Sequence, residues 1–131
     1  MGGLNFHNHE VTTVVVAGDV PFLRALLRIA IEEAGDDVVD EVSDREDLLV
    51  SCTHNNPDIV LMDLHLPDIQ GVRLVEDLLD INPDLAVVVI ADPTEELEET
   101  MLAVGARAYI QKPFSMYDLI DLVKKVAPVY R

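Results

Sequence analysis

Apolar residues along this chain alternate between two spacings, and this alternation constrains the fold more than any other feature. Short β-branched runs, typical of buried strands, alternate with segments whose apolar residues recur every three or four positions, typical of amphipathic helices. The predicted strands are Thr12–Ala17, Val38–Val42, Ile59–Met62, Leu85–Ala91 and Arg107–Gln111. Five strands alternating with five helices predict an α/β fold with a doubly wound parallel sheet, because right-handed crossovers place helices on both faces.

Residues typical of helix ends separate the predicted strands. Pro21 opens the first helix and Gly35 ends it, while Asn56–Pro57 and Asn82–Pro83 end the second and third. The predicted capping pairs are Ser43 with Glu46, Asp92 with Glu95, and Ser115 with Asp118. On this interpretation the Asp92 side chain caps the fourth helix and does not point toward the sheet.

Length and charge exclude several classes of function. The 131 residues suit one domain, predicted at 11–131 with residues 1–10 as a disordered extension or an expression remnant. With 25 acidic and 9 basic residues the net charge is −16, which argues against a nucleic-acid groove or an anionic membrane surface. No apolar run reaches the roughly 18 residues of a membrane span, and no signal peptide is evident, so we expect a cytoplasmic protein. The single cysteine, Cys52, is interpreted as a core residue.

Charged residues follow four of the predicted strands; Asp92, after the fourth, is assigned to the helix cap, and the other three are candidates for a site. Asp19 comes just after the first strand, Asp63 closes the third, and Lys112 follows the fifth. Ligands of open parallel sheets bind beyond the carboxyl ends of the strands. Two carboxylates there can hold Mg²⁺, one of them can accept a phosphoryl group, and a lysine can pair with the transferred charge. Spacing alone leaves open that all three are solvated loop residues.

Three motifs favour a functional site over solvated loop residues. The stretch 57–67 with Asp63 resembles the phosphoacceptor motif of response-regulator receiver domains, 20–24 resembles the start of their first helix, and Ala108–Phe114 with Lys112–Pro113 resembles their fifth-strand signature. The resemblance covers about residues 11–127 and is to chemotaxis-regulator-like receivers. It implies a flavodoxin-like (βα)5 fold with strand order 2-1-3-4-5, and no effector domain within this sequence.

The resemblance also implies a role for each matching residue. Asp63 matches the phosphoacceptor, and Lys112 the phosphate-contacting lysine. Asp19, Asp63 and the backbone carbonyl of His65 match the ligands of Mg²⁺. Tyr109 matches the switch aromatic that moves between exposed and buried rotamers.

Partners follow from the same resemblance. The expected partners are a sensor histidine kinase or phosphotransfer protein and a downstream effector. A homodimer through the face formed by the fourth helix, fifth strand and fifth helix is also implied. No independent enzyme activity is expected beyond self-phosphorylation from a phosphodonor and slow autodephosphorylation.

Two positions depart from the family pattern. Gly18 stands where an acidic residue usually anchors metal-bound water, and Ala91 stands where a Thr or Ser hydroxyl usually binds the phosphoryl group. Two hypotheses therefore stay open: a receiver that is phosphorylated on Asp63 with weakened Mg²⁺ binding and switching, or a degenerate receiver that binds partners independently of phosphate. A flavin-binding domain would share the topology, but the loops lack its Ser/Thr/Gly-rich phosphate cradle.

Overall fold

A five-stranded parallel sheet forms the centre of the molecule. The computed structural model describes residues 11–66 and 70–128, so the predicted extension at 1–10, the motif residue Pro67 and the last three residues lie outside the described part. The strands are β1 (Thr13–Ala17), β2 (Asp37–Val42), β3 (Ile59–Asp63), β4 (Ala86–Ala91) and β5 (Ala108–Gln111). They pair in the order β2-β1-β3-β4-β5, and every pair is parallel. The predicted fold class and strand order are confirmed.

Helices cover both faces of this sheet. They are α1 (Pro21–Glu33), α2 (Arg45–Asn55), α3 (Gly71–Ile81), α4 (Glu98–Ala103) and α5 (Met116–Val126). Pro21 begins α1, as predicted, since its missing N–H lies where no intrahelical partner exists. Ser115 caps α5 by accepting from the Asp118 N–H at 3.0 Å, which confirms that predicted pair.

Two hydrophobic cores lie on opposite faces of the sheet. Because side chains alternate along a strand, Val15 and Ala17 of β1 pack into the core under α2 and α3. Val14 and Val16 pack into the core under α1 and α5. Within the described residues, no helix is long and apolar enough to cross a bilayer.

Cys52 belongs to the first of these cores, as predicted, with 2% of its surface exposed. Burial, with a smaller contribution from the nearby Asp40 carboxylate, raises the pKa of its thiol to about 12. The side chain is therefore a protonated, apolar packing residue at neutral pH.

Two of the predicted helix starts are wrong. The cap of α2 is Asp44, whose carboxylate accepts from the Asp47 N–H at 2.8 Å, so the pairing of Ser43 with Glu46 does not describe this end. Helix α4 begins only at Glu98, with Leu97 at its N-cap position.

The segment between β4 and α4 is a turn, for a local reason. The Glu95 N–H donates to the backbone carbonyl of Asp92 at 3.1 Å. Glu96 then adopts a left-handed φ of 48°, which no helix can continue through. The Asp92 side chain is thereby free of a capping role and is oriented by other contacts.

Candidate functional site

The carboxyl ends of four strands bring the predicted site residues to one edge of the sheet. Ala17 of β1 lies opposite Met62 of β3, so Asp63 closes β3 beside the residue that follows β1. Ile90 of β4 lies opposite Asp63. The Lys112 N–H donates to the Ala91 carbonyl at 2.8 Å, which extends the β4–β5 pairing to the lysine. The topology therefore positions an aspartate and a lysine from different strands in one site.

Asp63 is the most buried charged group of this edge, with 1% of its surface exposed. The Lys112 ammonium donates to Oδ2 at 2.9 Å, and the His65 backbone N–H donates to Oδ1 at 2.9 Å. A buried carboxylate needs such partners, because an unpaired charge would cost several kcal/mol or more. Each oxygen still has a lone pair that can accept another bond. The predicted convergence of Asp63 and Lys112 at one edge of the sheet is thus present in the structure.

The loop after β1 presents Gly18 and Asp19 to the same edge. Gly18 is buried and Asp19 is exposed to solvent. A Cβ built on Gly18 would lie 3.6 Å from the Asp63 Cβ and 3.7 Å from the Arg24 Cγ. Both distances are ordinary van der Waals contacts, so a side chain here fits and would lie beside Asp63. The Arg24 guanidinium donates to the Gly18 carbonyl and holds this loop against α1.

The residues at this edge fit a hard divalent cation. Asp19 and Asp63 follow or close neighbouring strands and could each offer a carboxylate oxygen, and the His65 carbonyl in the loop after β3 could offer a third oxygen. Oxygen ligands with open positions for water are the set that Mg²⁺ prefers. An acidic side chain at position 18, where this chain has Gly18, would add a third carboxylate beside these groups.

Asp92 reaches this site, contrary to the sequence prediction. One of its carboxylate oxygens contacts the His65 ring nitrogen directly, and the other lies 3.7 Å from the Lys112 ammonium. The hydrogen bond from His65 and the charge of Lys112 hold the pKa of the Asp92 carboxyl below its usual value. Lys112 is therefore shared between two carboxylates. The rule that identified Asp63, a charged residue directly after a strand, also applies to Asp92 after Ala91.

Ala91 and Tyr109 also lie near this edge of the sheet. Ala91 at the end of β4 is fully buried, and its methyl group offers no hydroxyl to a ligand. Tyr109 of β5 is half-buried and packs against the core beneath α2 and α3. Its hydroxyl accepts from the Leu97 N–H at a long 3.4 Å, so the aromatic ring spans from β5 to the start of α4.

Comparison with known proteins agrees with this arrangement. A family model described as the response regulator receiver domain matches residues 14–124. The chain belongs to this family. It is a receiver domain of the two-component response-regulator type, and the predicted family resemblance is confirmed.

Similar receiver-containing proteins differ in length. Chemotaxis protein CheY of Thermotoga maritima is 25% identical over 115 residues, which cover 87% of this chain and 96% of CheY. Transcriptional regulatory protein DegU of Brevibacillus brevis is 30% identical over 122 residues, covering 92% of this chain and 52% of DegU. This receiver domain therefore spans nearly all of CheY but about half of DegU.

A solved structure supports the fold independently. The response regulator receiver domain protein of Clostridium thermocellum superposes with a TM-score of 0.83 at 21% identity, covering 88% of this chain and 94% of that one. At this identity the similarity concerns the fold alone.

Proposed function

We propose that this receiver domain accepts a phosphoryl group on Asp63 from a phosphorylated histidine of a kinase or phosphotransfer protein. The observation that carries the proposal is the buried Asp63 carboxylate with the Lys112 ammonium 2.9 Å from one oxygen. An Asp63 oxygen attacks phosphorus, a P–O bond forms, and the P–N bond to the donor imidazole breaks. The imidazole leaves with the electron pair and takes up a proton.

Lys112 provides the charge that this step needs. Its ammonium neutralises part of the Asp63 charge before transfer and can pair with a phosphoryl oxygen afterwards. Bound Mg²⁺, held by Asp19, Asp63 and the His65 carbonyl, would supply further charge neutralisation at the phosphoryl oxygens. The His65 N–H orients the carboxylate through its bond to Oδ1.

We infer that switching after phosphorylation is weaker than the family pattern implies. Ala91 has no hydroxyl to bond a phosphoryl oxygen, so the end of β4 gains no new contact. Asp92 already lies near Lys112, so the lysine has a second anionic partner before any transfer. Tyr109 is already half-buried and bonded to the start of α4.

Intact-mass spectrometry with acetyl phosphate and Mg²⁺ tests the proposal. We expect the wild type and the control variant Asp84→Asn, an exposed aspartate away from the site, to gain one phosphoryl mass, and Asp63→Asn to gain none. An unmodified wild type at saturating donor would contradict the proposal.

The second candidate is a receiver that binds its partner without phosphate. The observation that favours it is the Asp92 carboxylate near Lys112, since a negative charge already occupies one side of the lysine. It predicts that Asp63→Asn binds an effector as tightly as the wild type, in a pull-down or by calorimetry. A large loss of binding in that variant would contradict this second function.

A homodimer through α4, β5 and α5 belongs to the same proposal. Leu102 of α4 has 43% of its surface exposed and would contribute apolar contact area to such an interface. Sedimentation with and without acetyl phosphate tests it: Leu102→Glu should remove any phosphate-dependent dimer, and a dimer that persists in this variant would contradict the assignment of the face.

A further inference from the structure

Three side chains with metal-binding groups meet beside the Asp63 site, on the loops that follow β3 and β4. They are His65, Asp92 and Glu95, and one ligand atom from each lies within 4.8 Å of the other two. The His65 Nε2 contacts an Asp92 oxygen directly and lies 3.7 Å from a Glu95 oxygen. The His65 side chain is separate from its backbone carbonyl, which the Mg²⁺ site would use.

We propose that His65, Asp92 and Glu95 bind a divalent transition-metal ion of the Zn²⁺ class. Zn²⁺ takes one imidazole nitrogen and carboxylate oxygens at about 2.0–2.2 Å, and tetrahedral ligands at that length lie about 3.3–3.6 Å from one another. The separation of 3.7 Å between the His65 ring nitrogen and a Glu95 oxygen is only slightly longer than this spacing. The ion would insert between His65 and Asp92, replacing their direct contact.

The backbone positions the three ligands without the ion. The Glu95 N–H bonded to the Asp92 carbonyl at 3.1 Å closes a turn that keeps these two carboxylates on one side. On the other loop, the His65 N–H donates to the Asp63 carboxylate at 2.9 Å. Both loops are therefore held by bonds that an ion need not break.

Asp92 can ligate without losing its other partner. The oxygen that faces His65 is Oδ2, whereas the oxygen 3.7 Å from the Lys112 ammonium is Oδ1. Solvent reaches all three ligands, since their side chains are 50%, 30% and 27% exposed for His65, Asp92 and Glu95. Water can therefore complete the coordination, and the net charge of −16 favours any cation at this surface.

The nitrogen ligand distinguishes this site from the Mg²⁺ site. Imidazole selects Zn²⁺, Ni²⁺ or Co²⁺, whereas Mg²⁺ prefers an all-oxygen set. Competition between this chain and a chromophoric chelator for Zn²⁺, with millimolar Mg²⁺ present, measures Zn²⁺ binding without a contribution from the Mg²⁺ site. We expect one Zn²⁺ per chain, with affinity lowered about tenfold or more in His65→Gln and in Glu95→Gln.

Matched histidine variants control for other sites. His54, exposed on α2, and the pair His7 and His9, outside the described residues, should each be replaceable by Gln with Zn²⁺ affinity unchanged. Zn²⁺ binding that survives His65→Gln, or that disappears with the His7 and His9 pair, would overturn the proposal. Thermal unfolding without metal checks that each variant is folded. If a variant does not fold, the absorbance of Co²⁺ bound to the wild type tests the site instead. A Co²⁺ spectrum without imidazole ligation would refute the site.

Discussion

Replacing Gly18 by aspartate restores the carboxylate that the family pattern places beside the phosphoacceptor. The backbone tolerates this change, since a Cβ at Gly18 meets Asp63 Cβ at 3.6 Å and Arg24 Cγ at 3.7 Å, both ordinary contacts. The added carboxyl group lies one bond beyond that Cβ, next to the Asp63 carboxylate. We therefore expect Gly18→Asp to fold and to bind Mg²⁺ more tightly.

Coulomb's law sets the size of the effect. Two unit charges 4 Å apart interact by about 1 kcal/mol in water, so a carboxylate at that separation from a divalent ion contributes about 2 kcal/mol. Salt and solvent screening reduce this figure, and a gain of about 1–2 kcal/mol corresponds to a roughly 5- to 30-fold lower Kd. Without metal, the new carboxylate repels Asp63, so the variant should unfold at a lower temperature than the wild type and recover on addition of Mg²⁺.

Two variants at the same position separate charge from volume. Gly18→Ala adds only the Cβ, and Gly18→Asn adds the shape of aspartate without its charge. Mg²⁺ titration followed by ¹H–¹⁵N NMR gives the Kd of each. If Gly18→Asp binds Mg²⁺ no more tightly than Gly18→Asn, the placement of Gly18 beside the metal site is refuted.

Three further predictions concern other parts of the molecule. Asp92→Asn should speed phosphorylation by acetyl phosphate about two- to fivefold at low salt, because Lys112 loses its second carboxylate. The rate is measured with radiolabelled donor. A slower or salt-independent rate would argue against the sharing of Lys112 between Asp63 and Asp92. Cys52 should react with iodoacetamide at pH 8 only after unfolding, since burial raises the pKa of its thiol to about 12. Because the folded state keeps the thiol protonated, the free energy of unfolding should also fall as the pH rises above the ordinary thiol pKa toward 12. Rapid labelling of the native protein would refute the burial. Gly35→Ala and Gly105→Ala should each lower the free energy of unfolding, measured in urea, by about 1 kcal/mol or more, because both glycines have a positive φ. The loss should be larger at Gly105, where φ is +118° and the added Cβ would lie 2.5 Å from a leucine methyl, than at Gly35, where φ is +92° and no described atom lies within 4 Å. Equal losses would contradict the packing at Gly105.

The sheet and the convergence of Asp63 and Lys112 at one edge could be predicted from the sequence, because both depend on a regular pattern. Apolar runs identify strands, parallel strands direct their carboxyl ends to one edge, and charged residues at those ends must meet there. The same rule applied to Asp92 would have included it in the site.

The role of Asp92 was not predictable from its local pattern. Asp-Pro-x-Glu reports a capping tendency worth about 1 kcal/mol, but the contacts that orient Asp92 come from residues distant in sequence. His65 lies 27 positions earlier, and Lys112 approaches from the next strand. The left-handed φ of Glu96 moves the start of α4 to Glu98. A four-residue pattern does not predict it either.

Locating the phosphoryl group within the chain tests the central claim most directly. Acyl phosphates are reduced by borohydride, which converts a phosphorylated aspartate into homoserine, and peptide mass spectrometry then identifies the position. After treatment with acetyl phosphate and Mg²⁺, we expect homoserine at position 63 and unmodified aspartate at 19 and 92. Homoserine at either of those positions, or at none, would contradict the account.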